Sequence, residues 1–197
     1  MISTNRIEAF SDGVIAILIT IMVFDLKLPE NVSGITGIGM FKPLIPKLLS
    51  YATSFLVLAI MWVNHHQLFH QVKKSDRKLL WHNIHLLFWM SLIPFATNFM
   101  GSNPFLAEST LLYGLVFFMC ALSFSFLRSY IVKKGLLYET ISKTAQNKIL
   151  RKNMIAFMLY LSAAFLGYLS VYISFILFLI VPAMYFIPEK IIHEKND

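Results

Sequence analysis

Uncharged apolar runs of about 20 residues recur along this chain, each long enough to cross the roughly 30 Å hydrocarbon core of a bilayer as a helix. A soluble domain has no need of several such runs, whereas helices that cross a bilayer require them. Composition points the same way. Of 197 residues, 57% are hydrophobic and 14% are charged, against roughly 45–50% and 25% in soluble domains. The net charge of +7 could suggest a nucleic-acid partner, but the basic residues sit between the apolar runs. That placement is what membrane orientation requires, so the charge reads as topogenic and no nucleic-acid partner is expected. The lone Cys120 lies within an apolar run, so no intrachain disulfide is possible. The first apolar run is full length and lacks a small-residue cleavage site, so it reads as a retained helix.

The hydropathy pattern predicts an all-α membrane protein of one six-span domain, 1–197. The spans run at about 6–28, 44–70, 79–100, 105–132, 153–169 and 172–187. Pro29 stops the first, and Asn31 to Gly39 form a Gly-rich loop. Pro94 predicts a kink in the third span. The break between the fifth and sixth rests only on the stretch from Gly167 to Ser174. Charges order these spans. Lys73, Lys74, Arg77 and Lys78 lie between spans 2 and 3, and seven Lys/Arg lie from Arg128 to Lys152. The turns between spans 3 and 4 and between 5 and 6 carry none. Alternation places both termini in the cytoplasm, so the chain reads as a multi-pass membrane protein. Spans 4 to 6 carry no motif of their own and read as a lipid-facing scaffold.

Polar residues interrupt the first three spans at one depth. Asp12 lies six residues past Arg6, about 9 Å along the helix at 1.5 Å per residue. An Asp at mid-membrane costs about 2.5–3.5 kcal/mol on insertion scales, so its presence calls for partners. Asn64, His65 and His66 on span 2 and His82, Asn83 and His85 on span 3 lie in the same layer. The economical reading is a buried hydrogen-bond network in which Ser11 and Asp12 meet Trp62, His or Asn side chains. Phe10, Ser11 and Asp12 point about 100° apart successively, so they tie span 1 to different neighbours. The histidines also raise a metal alternative, because His65-His66-x-x-x-His70 and His82-x-x-His85 resemble pieces of membrane di-iron histidine boxes. Such sites use more ligands than this chain offers, so no metal or other cofactor is expected. Asp25 and Lys27 read as interfacial groups.

Span 1 carries two adjacent stripes. Ala9, Gly13, Ala16 and Thr20 form a small-residue stripe that admits a close helix neighbour and predicts a central, packed position for span 1. Phe10, Val14, Ile17, Ile21, Phe24 and Leu28 form a bulky apolar stripe beside it.

The run from Asn5 to Ile17, with Arg6-x-x-x-Phe10-Ser11-Asp12 at its heart, resembles the RxxxFSD signature of the endolysosomal-type transmembrane potassium channel family, in its single-repeat prokaryotic form. Trp62-x-x-His65-His66 resembles the same family, as does the six-span layout. The resemblance implies a homotetramer whose four first helices line an ion pathway for potassium. It implies a ring of bulky apolar side chains in place of a carbonyl filter, and the chain contains no TVGYG. Ile17 falls at that ring, Ile21 and Phe24 follow it, and Thr20 matches a position that offers hydroxyls to the ion. Phe24 stands where the family would be expected to carry an aliphatic residue. An apolar ring gates by dewetting and makes an ion shed water, which favours potassium modestly over sodium. Other function classes remain open on the sequence. One is a proton-coupled secondary transporter, or a proton-leak pathway, using Asp12 and the histidines of spans 2 and 3; another is a membrane metalloenzyme.

Overall fold

The structure, a computed structural model, describes residues 3–27, 37–138 and 143–186. Leu28, Pro29, most of the Gly-rich loop and the tail from Ile187 lie outside the described residues. Helix α1 covers Thr4–Ile21 and passes into a 3-10 turn at Met22–Asp25. A 3-10 segment at Gly37–Leu44 leads into α2, Ile45–His70, where Pro46 lies in the first turn and forfeits no helical hydrogen bond. The third apolar stretch contains two helices, α3 at Arg77–Ser91 and α4 at Ile93–Ser102. Pro94 has no N–H for the carbonyl four residues back, and the Leu92 N–H bonds the carbonyl of Trp89, three residues back, which tightens the turn. Then follow α5 at Ala107–Lys133, α6 at Lys143–Leu166 and α7 at Val171–Phe186. Among the described residues, five helical stretches are long and apolar enough to cross a membrane, and Val171–Tyr185 is a shorter apolar helix.

Helix α6 begins ten residues before the fifth span expected from hydropathy. Its first turns are polar, with Lys148, Arg151 and Lys152 among them. Apolar character marks where lipid begins, and a helix can start before that point.

The ends of the helices facing the basic connections are tied down locally. Asp76 caps α3, its Oδ1 accepting the Leu79 N–H at 2.7 Å. At the end of α5, Gly135 takes φ +62°. That left-handed residue lets the N–H groups of Gly135 and Leu136 reach the carbonyls of Val132 and Ile131 at 3.1 Å each. The two connections then pair with each other: Lys73 N–H donates to Leu136 at 2.8 Å, and Tyr138 N–H donates to Gln71 at 2.9 Å.

Helix α5 is the centre of the protomer, packed on α3, α4, α6 and α7. Thr110, Tyr113, Phe117, Cys120, Leu127 and Ile131 are all buried. The reading of span 4 as lipid-facing is therefore corrected. A helix apolar on all sides suits a protein interior as well as lipid, and hydropathy cannot separate the two. Close approach supports the packing, since a Cβ at Gly114 would lie 2.7 Å from the Cβ of Ala164 on α6. Hydroxyls bind α2, α4 and α5 together. Ser54 Oγ lies 2.6 Å from Thr97 Oγ1 and 2.8 Å from the Tyr113 hydroxyl, which donates to the Ser50 carbonyl at 3.1 Å. Inside a membrane such groups have no water to turn to, so they pair across helices.

Within the protomer helix α1 rests on α2, α3 and α4 through one face, and its small-residue stripe lies on the other, exposed face.

Candidate functional site

Two faces of α1 define the site. The packed face follows a four-four-three-four spacing, with Ile7, Ser11, Ile15, Leu18 and Met22 all buried. That spacing is one stripe of an α-helix, apolar except for Ser11. The opposite face is open along the whole helix. Arg6, Ala9, Phe10, Gly13, Ala16, Ile17, Thr20, Ile21 and Phe24 are exposed, with Ile17 at 63% and Phe24 at 70%. The small and bulky stripes thus lie side by side on one uncovered surface. Phe10, expected to meet a neighbouring helix, is exposed and belongs to this surface. Phe24 reaches it from the 3-10 turn rather than from α-helix. A 3-10 turn advances about 120° per residue, so the register assumed from Phe10 to Leu28 does not hold past Ile21. The Thr20 hydroxyl donates back to the carbonyls of Ala16 and Ile17 at 3.0 Å each. Its proton is committed to the helix, and its oxygen lone pairs remain on the open face.

Behind the packed face lies a hydrogen-bonded layer joining α1, α2 and α3. Asn83 Nδ2 donates to Ser11 Oγ at 2.9 Å, and Ser11 Oγ donates to the Ile7 carbonyl at 2.8 Å. Asn83 Oδ1 lies 2.8 Å from His65 Nε2. With its amide nitrogen already donating to Ser11, Asn83 can only accept here, so His65 carries its proton on Nε2. Its Nδ1 is buried without a partner, and its ring stacks on Phe69 at 4.2 Å. All three polar side chains of this chain of bonds are buried.

A second set of bonds flanks the first. Trp62 Nε1 donates to Asp12 Oδ1 at 2.9 Å. His66 Nδ1 lies 2.8 Å from Glu8 Oε1, the carboxylate accepting. Glu8 and Asp12 are four residues apart on α1, and Trp62 and His66 are four apart on the antiparallel α2, so the two bonds fix one register. Glu8 was not among the residues expected here. The matched four-residue spacing of opposed partners was the signal available for it.

His82 and Arg6 fall outside this layer. The His82 ring packs 4.9 Å from the Tyr130 ring, and Arg6 is exposed at the start of the open face. His85 Nε2 accepts from Trp89 at 3.1 Å. The histidines therefore turn to separate partners, and among the described residues no group of three or more His, Cys, Asp or Glu could hold a metal ion.

The chain can be placed by comparison with known proteins. Residues 6–94 match the family described as the endosomal/lysosomal potassium channel TMEM175. A potassium channel from a Chryseobacterium species is 36% identical over 191 residues, covering 97% of this chain and 96% of that one. The chain belongs to the TMEM175 family. A second TMEM175 relative, a potassium channel of Chamaesiphon minutus, is 32% identical over 87% of each chain. The crystal structure described as a lysosomal potassium-selective channel TMEM175 homolog from Chamaesiphon minutus superposes with a TM-score of 0.79 at 29% identity. It covers 92% of this chain and 95% of that one. The mouse relative, named an endosomal/lysosomal proton channel, is 32% identical over 106 residues, which is 48% of this chain and 21% of that protein. TMEM175 proteins are membrane-spanning ion channels with bacterial members, not enzymes, and the family implies no cofactor.

Proposed function

We propose that the chain is a potassium-permeable channel of a prokaryotic inner membrane, with both termini cytoplasmic, in which four copies place the open face of α1 around a central pathway. The observation that carries this reading is the asymmetry of α1. One face is sealed against its own protomer, while the other leaves Ile17 and Phe24 at 63% and 70% exposure along the full helix. Lipid alone would cover a uniformly bulky face. A face that alternates bulky side chains with Gly13, Ala16 and the Thr20 oxygen suits a lumen shared by close helices.

In this reading Ile17 forms the constriction, with Ile21 and Phe24 outward of it, and an ion passing the ring sheds water. Potassium sheds its water more readily than sodium, so selectivity is present and modest. Thr20 supplies an oxygen for the partly dehydrated ion. The layer of Ser11, Asp12, Trp62, His65, His66 and Asn83 holds α1 at a fixed rotation, because bonds to two different helices oppose its turning. Arg6 and Phe10, with no place in that layer, act at the cytoplasmic end of the shared face.

Reconstitution into liposomes with imposed potassium, sodium and proton gradients tests this. Potassium flux exceeding sodium flux is the expected result, and folded, oligomeric protein that passes neither ion contradicts it. A second reading, proton permeation, is favoured by the name of the mouse relative and by the histidines at this level. Proton flux without potassium flux would select it.

A further inference from the structure

The connection between α2 and α3 and the segment that ends α5 come together in space. Val72 and Leu137 pair as an isolated antiparallel bridge, and both are buried. The backbone bonds on either side, Lys73 to Leu136 and Tyr138 to Gln71, hold the two segments together. Lys73, Lys74, Arg77 and Lys78 from one and Lys133 and Lys134 from the other are all exposed. Asp76 is the one carboxylate in the described part of these segments, and its oxygens accept from the Leu79 N–H and the Tyr130 hydroxyl. The Lys134 charge acts on Asp76 across the pairing, so the cations of the two segments share one surface.

We propose that the paired segments form a docking surface for anionic phospholipid, its phosphate set against these ammonium and guanidinium groups. Membrane orientation asks only that basic residues lie in the right connection. It does not ask that two connections pair, and charges of one sign held on one surface repel each other. That surface calls for an anion. Its depth selects a lipid, because α2, α3 and α5 belong to stretches long and apolar enough to cross a membrane. The cations therefore stand where those stretches leave the hydrocarbon, at the level of lipid phosphates. Trp81 in the second turn of α3 and Tyr138 beside the bridge are both exposed, and such side chains settle at headgroup level. Asp76 already fills the N-terminus of α3, so side-chain charge holds the lipid and the helix end does not. The proposal rests on membrane embedding and stands apart from the pore reading.

The test uses the full-length protein in detergent, with phosphatidylglycerol or phosphatidylcholine titrated in and bound lipid counted by native mass spectrometry. Sodium glycerophosphate, a phosphate without acyl chains, serves as competitor. Phosphatidylglycerol is expected to bind about tenfold or more tightly than phosphatidylcholine. That advantage should shrink as ammonium acetate is raised. Lys74→Gln with Lys134→Gln, one cation from each segment, should weaken phosphatidylglycerol binding by about tenfold or more. Lys27→Gln with Lys42→Gln removes two exposed cations beyond the end of α1 and before the start of α2, and should leave binding unchanged. Gly135→Val keeps every cation but strains a backbone at φ +62°, so binding should fall with the pairing. Where Gly135→Val fails to fold, the Lys74 and Lys134 pair decides. Equal binding of the two lipids, undiminished binding in the Lys74 and Lys134 pair or in Gly135→Val, an equal loss in the Lys27 and Lys42 pair, or displacement of the lipid by equimolar glycerophosphate would each overturn the proposal. Because binding is read without flux, a protein that bound the lipid and failed to conduct would contradict the pore reading alone.

Discussion

Asn83 serves two partners at once, donating to Ser11 and accepting from His65. Leucine at that position would leave the buried His65 with no hydrogen bond on either nitrogen. Interhelical hydrogen bonds in membranes contribute about 0.6–2 kcal/mol, so Asn83→Leu should destabilise the protein by about 1–2 kcal/mol, leaving a buried polar group unpaired. Thermal unfolding of the solubilised protein reads this directly, and an unchanged unfolding temperature would show that the layer contributes nothing to packing. Asp76 makes a different prediction, because it titrates. Burial alone would push its carboxyl up, but the hydrogen bonds from Tyr130 and from the N–H groups of Leu79 and Lys78, with the Lys134 charge, outweigh that and hold it below the usual carboxylate value. A carboxyl lowered in the folded state contributes its stability in full above its unfolded pKa, near 3.9, and loses it as pH falls through the folded value. Asp76→Ala should therefore cost about 1 kcal/mol near neutral pH as a lost helix cap. The gap between variant and unsubstituted protein should close below about pH 4. Unfolding temperatures across that range check the sign, and a gap that widens in acid would contradict it.

Among the helices, the contact most exposed to a one-carbon change is that of α5 with α6. Gly114→Ala places a Cβ 2.7 Å from that of Ala164 and 2.8 Å from its Cα, so the helices must part. Overpacking of this kind costs about 1–3 kcal/mol. Gly13→Ala meets nothing within 4 Å in the protomer and should leave its helical content unchanged by circular dichroism. Equal losses in the two variants would mean that the α5–α6 contact is not the tight one. These two glycines also show what was legible beforehand. Both lie in apolar runs, and nothing local says that one faces a helix of its own chain and the other an open surface. Alternating charge gave the order of the apolar segments, and the clustering of Asp12, His65 and Asn83 at one depth gave the partners of α1, because a buried polar group in lipid must find another. The early start of α6 was hidden since its first turns are polar. Span 4 was misread since lipid and protein interiors select the same residues. The Glu8–His66 bond is legible in the matched four-residue spacing of Glu8 and Asp12 against Trp62 and His66.

In the whole molecule, the layer of bonds and the open face are opposite sides of α1. The layer holds the rotation of α1, and in the proposed tetramer that rotation sets which residues the protomers present to a shared axis. Slipping α1 by one residue would turn Ile17 by about 100° and bring Leu18, now buried against the protomer, toward the axis. The measurement that bears most directly on this is the potassium-to-sodium permeability ratio of Ile17→Asn in a planar bilayer. A polar, smaller ring wets more readily and no longer compels dehydration, so conductance should rise and the ratio fall toward unity. Unchanged conductance and an unchanged ratio, in protein that still assembles, would mean that the open face of α1 does not line the pathway.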